Sequence, residues 1–245
     1  MALVANSIVD FVVPPRCAFC AASADSRLCC RLCEAIIPRN EIACPRCANP
    51  VPSRLPDGVC CGACQTREPP FRAAAAPLLY EFPIDEAIKA IKFRRHLFYL
   101  PVFADLLADV VRQRFSNVDL LVPVPLHRTR HALRGFNQAT ELCRIVGRRC
   151  GLPVAGNVRR VRATKPQSGL TASERRGNLR KAFAVSGPVS GPVSRPVSRQ
   201  PRFHRPLIID DVMTTGETCR SLSNVLLAAG ADEVCVLTIA RAQSD

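Results

Sequence analysis

From residue 78 onwards, short apolar runs alternate with longer stretches in which apolar positions recur every three or four residues. The short runs have the length and the bounding turn residues of strands, and the longer stretches have the period of amphipathic helices. The pattern predicts strands over residues 78–82, 120–124, 207–209 and 234–239, and helices over residues 84–93, 102–115, 138–150 and 218–229. Because alternating strands and helices form βαβ units, we expect an α/β domain with a mainly parallel sheet flanked by helices.

Two segments depart from this alternation. Over residues 1–15, Val4, Ile8, Phe11 and Val12 are spaced for one face of a short helix that packs on the body of the protein. That segment has no cationic start, so it is not typical of a signal peptide, and no uncharged apolar run reaches the ~20 residues that span a bilayer. We therefore expect a cytoplasmic protein. Residues 186–200 begin with a Gly-Pro-Val-Ser repeat that predicts an exposed low-complexity loop.

The cysteines are concentrated before the α/β pattern begins. Ten of the 14 lie between Cys17 and Cys64, and eight of these form four Cys-x-x-Cys units. Each such turn directs two thiolates at one tetrahedral ion, so consecutive pairing of the units predicts two four-cysteine sites. Their ligands are Cys17, Cys20, Cys30 and Cys33 in the first site, and Cys44, Cys47, Cys61 and Cys64 in the second. Soft thiolates favour structural Zn²⁺, with an iron–sulfur cluster as the alternative.

Two questions about these cysteines stay open at this point. A disulfide framework is the other interpretation of so many cysteines, but it requires an oxidising compartment. Cys29 and Cys60 each directly precede a Cys-x-x-Cys unit, so the register at those two corners is ambiguous. The remaining cysteines lie in apolar or helical surroundings and are predicted to be small buried hydrophobic residues. They are Cys143, Cys150, Cys219 and Cys235.

The formal net charge of +14 is concentrated in one segment. Residues 148–205 contain 14 Lys and Arg residues against one acidic residue, Glu174. A basic segment of this kind suits a polyanion, either a nucleic-acid backbone or a polyphosphate substrate, although a solvated basic face is the alternative. Tryptophan is absent and aromatic residues make up 5% of the chain, so stacking platforms for single-stranded nucleic acid are sparse.

The stretch LIIDDVMTTGET, residues 207–218, carries the most specific chemistry. A buried strand leads into two acids, then a Thr/Gly loop, then a helix, and this arrangement aims loop amides and a helix N-terminus at an anion. Asp210 and Asp211 can accept hydrogen bonds from the vicinal hydroxyls of a ribose. The candidate phosphate-binding residues are Thr214, Thr215, Gly216, Glu217 and Thr218. The alternatives are two capping acids at a strand end or a Walker B pair, but the chain has no Walker A motif.

This stretch resembles the phosphoribosyl-pyrophosphate (PRPP) signature of type I phosphoribosyltransferases. The resemblance implies that Asp210 and Asp211 hold the ribose hydroxyls as the catalytic acids and that the loop binds the 5′-phosphate. It also places Val124 and Pro125, within residues 122–126, in the pyrophosphate loop. Arg128, Arg130 and Arg134 are candidates for the pyrophosphate charge, or else form a basic surface loop.

The order of motifs over residues 17–240 is similar to that of the ComF/GntX family. The residues that carry this resemblance are the cysteine units, VPVPL at 122–126, RGFNQ at 134–138, Gln167, Leu170, Arg175, Asn178 and DDVMTTG at 210–216. It implies a cysteine-rich double zinc-ribbon module over residues 1–70 and a phosphoribosyltransferase-like domain over residues 71–245. Residues 165–170 and 175–179 would form a mobile hood over the diphosphate.

Three functions are compatible with this organisation. The first is PRPP-dependent phosphoribosyl transfer to an unidentified acceptor, with Mg²⁺ held largely by the substrate. The second, which the resemblance to ComF proteins implies, is a non-catalytic role in handling single-stranded DNA during competence and DNA uptake, with residues 148–205 and the zinc module as the contact surface. The third is a partner-docking protein that uses the zinc module.

Overall fold

A parallel sheet forms the centre of the computed structural model, which describes residues 16–24, 29–161, 182–186 and 204–243. The strands in chain order are β1 (Ala73–Ala75), β2 (Leu78–Leu79), β3 (Leu120–Pro123), β4 (Val158–Arg160), β5 (Phe183–Val185), β6 (Pro206–Met213) and β7 (Cys235–Arg241). β1, β7, β6 and β3 are neighbours in that order, β2 pairs with β7 beyond β1, and all these pairs are parallel. β4 and β5 form a separate antiparallel pair.

The two middle strands are covered on both faces. Leu207, Ile208 and Ile209 of β6 have no exposed surface, and every residue of β7 is buried. A continuous apolar run, without the alternation of a half-exposed strand, is typical of parallel strands with helices on both sides. The predicted fold class, a mainly parallel α/β sheet preceded by a small cysteine-rich module, is confirmed.

Helices cover the two faces of the sheet unequally. The helices in chain order are α1 (Arg31–Ile36), α2 (Gly62–Thr66), α3 (Ile84–Lys89), α4 (Tyr99–Arg114), α5 (Arg128–Arg134), α6 (Gln138–Cys150) and α7 (Glu217–Ala228). One core cluster joins Ile88 of α3, Leu107 of α4 and Leu142 of α6 to one face of the sheet. The other cluster joins Leu222 and Leu226 of α7 to the opposite face.

Several predicted boundaries change in the structure. The strand predicted over 78–82 is only Leu78–Leu79, and the helix predicted over 84–93 ends as α3 and continues as a π-helical turn, Ala90–Arg94. β6 extends to Met213 because β7 continues to pair with it after β3 has ended, so the two acids lie inside a strand. α5 and the β4–β5 pair were not predicted; α5 has no buried residue and therefore no hydrophobic period.

The cysteine-rich module contains the same local plan twice. We call residues 16–24 and 29–37 the first ribbon and residues 43–66 the second ribbon. In each, an antiparallel bridge, between residues 16 and 23 or 43 and 50, closes a hairpin around one Cys-x-x-Cys unit. Cys30 and Cys61, which begin the second units, are the N-cap residues of α1 and α2. Ala21 and Ala48 occupy matching positions with positive φ, at 60° and 55°.

Some predictions fall outside the described residues. These are the helix predicted within residues 1–15, the hood residues 165–170 and 175–179, and the repeat loop beyond Ser186. The domain boundary at residue 70 and the cytoplasmic location remain predictions. In the part of the chain that the structure describes, no helix combines the length and hydropathy needed to span a bilayer. Cys143, Cys219 and Cys235 are buried as predicted, whereas Cys150 is only partly buried.

Candidate functional site

The eight predicted cysteine ligands form two tetrads. Among the described residues, Cys17, Cys20, Cys30 and Cys33 form one group and Cys44, Cys47, Cys61 and Cys64 form another, with all Sγ atoms of a group within 4.8 Å of one another. The Sγ atoms of Cys20 and Cys30 are 3.6 Å apart, as are those of Cys47 and Cys61. A tetrahedral zinc with Zn–S bonds of about 2.3 Å requires an S–S separation of about 3.8 Å. Both tetrads therefore fit structural Zn²⁺.

The tetrads also resolve the register at the two ambiguous corners. Cys30 and Cys61 belong to the tetrads, while Cys29 and Cys60 lie outside them. The backbone amide of Phe19 donates to Cys17 Sγ at 3.4 Å, and the amide of Cys61 donates to Cys44 Sγ at 3.3 Å. Such amide bonds favour the thiolate form that a metal requires. With four protein ligands at each centre, no position is left open for catalysis.

Asp210 and Asp211 lie where β6 passes the end of β3. Pro123, the last residue of β3, pairs with Ile209, so the acids follow directly at the carboxyl edge of the sheet. The Asp211 amide donates to Asp210 Oδ1 at 2.9 Å. In open α/β sheets, ligands bind outside the carboxyl ends of the strands. The two acids are therefore at the edge where this fold class places its ligand.

Asp211 is held by two side chains that the sequence did not assign to the site. Lys92 Nζ lies 2.9 Å from Asp211 Oδ1, and Gln138 Nε2 donates to Asp211 Oδ2 at 2.7 Å. Both carboxylate oxygens of Asp211 are thus engaged, and the residue is only 5% exposed. Gln138 Oε1 is buried and has no hydrogen-bond partner among the described residues. Asp211 is fixed in place before any ligand binds.

Asp210 has a different electrostatic environment from Asp211. Burial, followed by the neighbouring Asp211 carboxylate, raises the pKa of Asp210 to about 7, although Lys92 and Arg160 act in the opposite direction. Burial by itself lowers the pKa of Lys92, but Asp211 and Asp210 outweigh burial, so the pKa of Lys92 is raised. Near neutral pH, Asp210 can therefore either donate or accept a proton while Lys92 remains charged.

The π-helical turn brings Lys92 to the acids. A π turn inserts one residue into the helical repeat and changes the direction of the side chains that follow, and such turns are frequent at functional sites. The turn ends at Arg95, which has a left-handed conformation with φ 58°. Gly135 faces the Arg95 guanidinium and has φ 77° as the C-cap residue of α5, a left-handed conformation that favours glycine. The Arg134 guanidinium lies 5.4 Å from the centre of the Phe93 ring.

Residues 213–217, which we call the phosphate loop after their predicted role, connect β6 to α7. Gly216 has φ 75° and is the N-cap residue of α7, a conformation that favours glycine. Thr214 is exposed, whereas Thr215 Oγ1 is buried without a hydrogen-bond partner in the described part of the chain. The loop thus combines a helix N-terminus with an unused hydroxyl, and both are suited to phosphate oxygens. Glu217 is already engaged, since its Oε1 accepts from Arg67 at 2.8 Å.

The predicted pyrophosphate side lies across the end of β3. Val124 is held by two bonds of 3.0 Å, one from its own amide to the Ile209 carbonyl and one from Asn137 Nδ2 to its carbonyl. Pro125 and Arg128 line a cavity of about 760 Å³. The cavity is also lined by Leu126, His127, His131, Ala132, Asn137, Thr140, Val158, Arg159, Arg160 and Val161. Its described charged lining is entirely basic.

The arginines predicted to bind the pyrophosphate do not all line this cavity. Arg128 lines the cavity, but Arg134 stacks on Phe93. Burial, and then Arg134, lowers the pKa of Arg130. The residues that sequence reasoning missed are Lys92, Gln138 and Arg160. The position of Gln138, directly after Asn137 at a predicted helix start, could have indicated that it belongs to the site. The position of Lys92 depends on a π turn, which the hydrophobic period does not reveal.

Residues 8–65 match a protein family described as a double zinc ribbon domain. The chain is 33% identical over 220 residues to a DNA utilization protein, YhgH, of Salmonella typhi, covering 86% of this chain and 89% of the relative. It is 32% identical over 188 residues to competence protein F of Haemophilus influenzae, covering 74% of this chain and 78% of the relative.

Two solved structures resemble the chain at lower sequence identity. They are an orotate phosphoribosyltransferase from Aeropyrum pernix, with 19% identity and a TM-score of 0.34, and a purine phosphoribosyltransferase from Pyrococcus horikoshii, with 18% identity and a TM-score of 0.32. The matched regions cover 59% of this chain and 63% of the first structure, and 58% of this chain and 72% of the second.

Proposed function

The chain belongs to the ComF family, and from this premise we propose that it binds PRPP, or a related ribose 5-phosphate, at the carboxyl edge of its sheet. The observation that carries the proposal is the arrangement of Asp210 and Asp211 beside the phosphate loop. Two acids suit the vicinal hydroxyls of a ribose, and the helix N-terminus with the unused Thr215 hydroxyl suits its phosphate.

The two acids have distinct tasks in this proposal. Asp211 is fixed by Lys92 and Gln138, so it orients the ribose. Asp210 has a pKa raised to about 7 and accepts a hydrogen bond from the second hydroxyl when it is ionised. The basic cavity beside Pro125 and Arg128 receives the diphosphate. Mg²⁺ would be held mainly by the diphosphate and ribose oxygens, and it would neutralise charge on the leaving group.

If the site is catalytic, it transfers the phosphoribosyl group of PRPP to an acceptor and releases pyrophosphate. The chain's own contribution would be to orient the ribose and stabilise the leaving diphosphate, because catalysis of this kind depends largely on positioning and electrostatics.

Isothermal titration of PRPP with Mg²⁺ into the zinc-loaded protein tests the proposal. We expect saturable binding to the wild type and at least about tenfold weaker binding to Asp210→Ala. A matched control is Asp109→Ala, which removes an exposed acid of α4 that is paired with Arg112. Equal titration of Asp210→Ala and wild type would contradict the assignment of Asp210. Pyrophosphate release in the presence of added acceptors would then distinguish a transferase from a protein that only binds PRPP.

A second proposed function is handling of single-stranded DNA, and the basic cavity is the observation that favours it. Arg128, Arg159 and Arg160 line one surface with no acidic residue among its described lining. Phosphate contacts release counterions, so binding of a labelled oligonucleotide, measured by fluorescence anisotropy, should weaken steeply as salt is raised. Affinity that does not change with salt, or no binding at about 50 mM salt, would count against this function.

A further inference from the structure

Three arginines join the second ribbon to the phosphate loop. Arg241 lies at the end of β7, Arg220 lies on α7, and Arg67 directly follows α2 of the second ribbon. Arg241 bonds both to the second ribbon and to the phosphate loop. Arg67 bonds from the end of the ribbon to the first turn of α7, and Arg220 bonds from α7 to the chain that leaves the ribbon. The junction therefore connects the Cys44, Cys47, Cys61 and Cys64 centre to residues 213–217.

Arg241 makes the most direct of these connections. Its Nε donates to the Cys47 carbonyl at 3.3 Å, and its Nη1 donates to the Met213 carbonyl at 3.1 Å and to the Thr214 carbonyl. The residue is 4% exposed. Because a guanidinium is planar and presents its donors in fixed directions, it holds the Cys47 carbonyl and the two loop carbonyls in one arrangement.

The other two arginines act at the first turn of α7. Arg67 Nη1 donates to Glu217 Oε1 at 2.8 Å, and the Glu217 side chain is only 12% exposed. Arg220 reaches back to the end of the ribbon, where Nη1 donates to the Glu68 carbonyl at 3.1 Å and Nη2 to the Arg67 carbonyl at 3.0 Å. The start of the helix that follows the phosphate loop is thus bonded to the chain leaving the second ribbon.

The first ribbon packs in a different place. The Phe19 ring lies 5.9 Å from the ring of Tyr99 on α4, and Phe19 and Ile37 pack against the core cluster on the α4 face of the sheet. α7 and its preceding loop lie on the opposite face, with the second core cluster. The two ribbons share a local plan but contact different parts of the α/β domain.

We infer that the second ribbon positions the phosphate loop, with Arg241 as the positioning residue, so that integrity of the second four-cysteine centre sets the affinity of the loop for a phosphate ligand. The ligand part of this inference rests on the proposed function. A structural zinc supplies most of the folding free energy of a small ribbon, so loss of the centre releases the Cys47 carbonyl. Loop amides must stay within about 0.5 Å of their productive positions to bind a phosphate well.

Matched cysteine substitutions in the full-length protein test the inference. Cys47→Ser and Cys20→Ser remove equivalent ligands, each the second cysteine of the first unit in its ribbon. Both variants should lose one zinc. Amide hydrogen exchange of the peptide that covers residues 213–217 should become at least about tenfold faster in Cys47→Ser and stay within about twofold of the wild type in Cys20→Ser. Equal exchange of this peptide in the two variants would overturn the inference.

A second pair of variants tests the junction with both zinc centres intact. Arg67→Gln removes the contact with Glu217, and its control Arg72→Gln removes a similar exposed pair, of 2.7 Å with Glu233, which is on the loop before β7. We expect about threefold weaker binding of PRPP and Mg²⁺ for Arg67→Gln and no change for Arg72→Gln. Arg241→Lys retains the charge but loses the planar fork, and should weaken binding about tenfold with two zinc ions retained.

Unchanged affinity in Arg241→Lys would overturn the positioning role of Arg241. The exchange measurement needs no ligand, so it separates this inference from the proposed function. If the wild type fails to bind PRPP while Cys47→Ser still loosens residues 213–217, the proposed function fails and the junction stands. If the wild type binds PRPP and Cys47→Ser binds it equally well, the junction fails and the proposed function stands.

Discussion

Replacing Lys92 with methionine should strongly lower the free energy of unfolding, because it removes the partner of a buried carboxylate at the site. Lys92 and Asp211 form an ion pair of 2.9 Å, and their side chains are 19% and 8% exposed. At this distance, with an effective dielectric constant of about 20, the gross attraction is about 6 kcal/mol. Desolvation offsets much of that attraction, but removing one partner leaves the other charge buried and unpaired, which costs about 3–5 kcal/mol.

For a chain of this size, that loss corresponds to a decrease of about 6–20 °C in the melting temperature. Urea unfolding of the zinc-loaded protein gives the free energy directly. Lys89→Met is the matched control, since Lys89 lies on the adjacent turn and pairs with Asp85 and Glu86 at the surface. It should change the melting temperature much less. The double variant Lys92→Met/Asp211→Asn should recover part of the stability lost in each single variant.

A loss of less than about 1 kcal/mol in Lys92→Met would refute the argument that the pair is buried and mutually dependent. Such a result would mean that water or another group compensates Asp211 when the lysine is absent. A loss equal to that of Lys89→Met would refute it equally. The substitution should also raise the pKa of Asp210 further, because Lys92 is one of the groups that lower it.

Other measurements address the metal centres and the ligand. Native mass spectrometry should find two zinc ions per chain, one for each cysteine tetrad, and a content of one would contradict one of the two centres. The affinity for PRPP and Mg²⁺ should fall as the pH decreases below about 7, because protonation of Asp210, whose pKa is raised to about 7, removes a carboxylate acceptor. An affinity that stays constant from about pH 6 to 8 would argue against this role of Asp210. Thr215→Val should reduce the affinity for PRPP about tenfold without lowering the melting temperature, because the buried hydroxyl has no partner among the described residues. An unchanged affinity would show that Thr215 does not contact the ligand.

The raised pKa of Asp210 also has a consequence for stability. The folded protein binds a proton at this carboxyl between pH 3.8 and about 7, where the unfolded chain has released it. By linkage, this residue contributes stability at low pH, and its contribution is lost as the pH rises towards 7. Ligand binding is thus favoured at the pH where ionised Asp210 lowers the free energy of unfolding most. Ionisable groups with such perturbed pKa values are common at functional sites.

The features that the sequence predicted are those encoded over short distances along the chain. Two cysteines separated by two residues direct their thiolates at one ion, so the spacing predicted the two tetrads, although the structure decided that Cys30 and Cys61 are ligands and that Cys29 and Cys60 are not. Strand, loop and helix follow one another within residues 206–228, so their local conformation is also set by neighbouring residues. Hydrophobic period correctly predicted α6 and the parallel class of the sheet.

Features that depend on contacts between distant residues were decided only by the tertiary structure. The extension of β6 through Asp211 depends on pairing with β7, and the contact of Lys92 with Asp211 depends on a π turn that leaves no mark in the hydrophobic period. Arg241 and Cys47 are separated by 194 residues in the chain and meet only because the second ribbon packs at the end of β7. Local spacing determines which chemical groups each segment carries, but the order of strands and the packing of the ribbons determine which of those groups meet, because both are set by burial summed over the whole core.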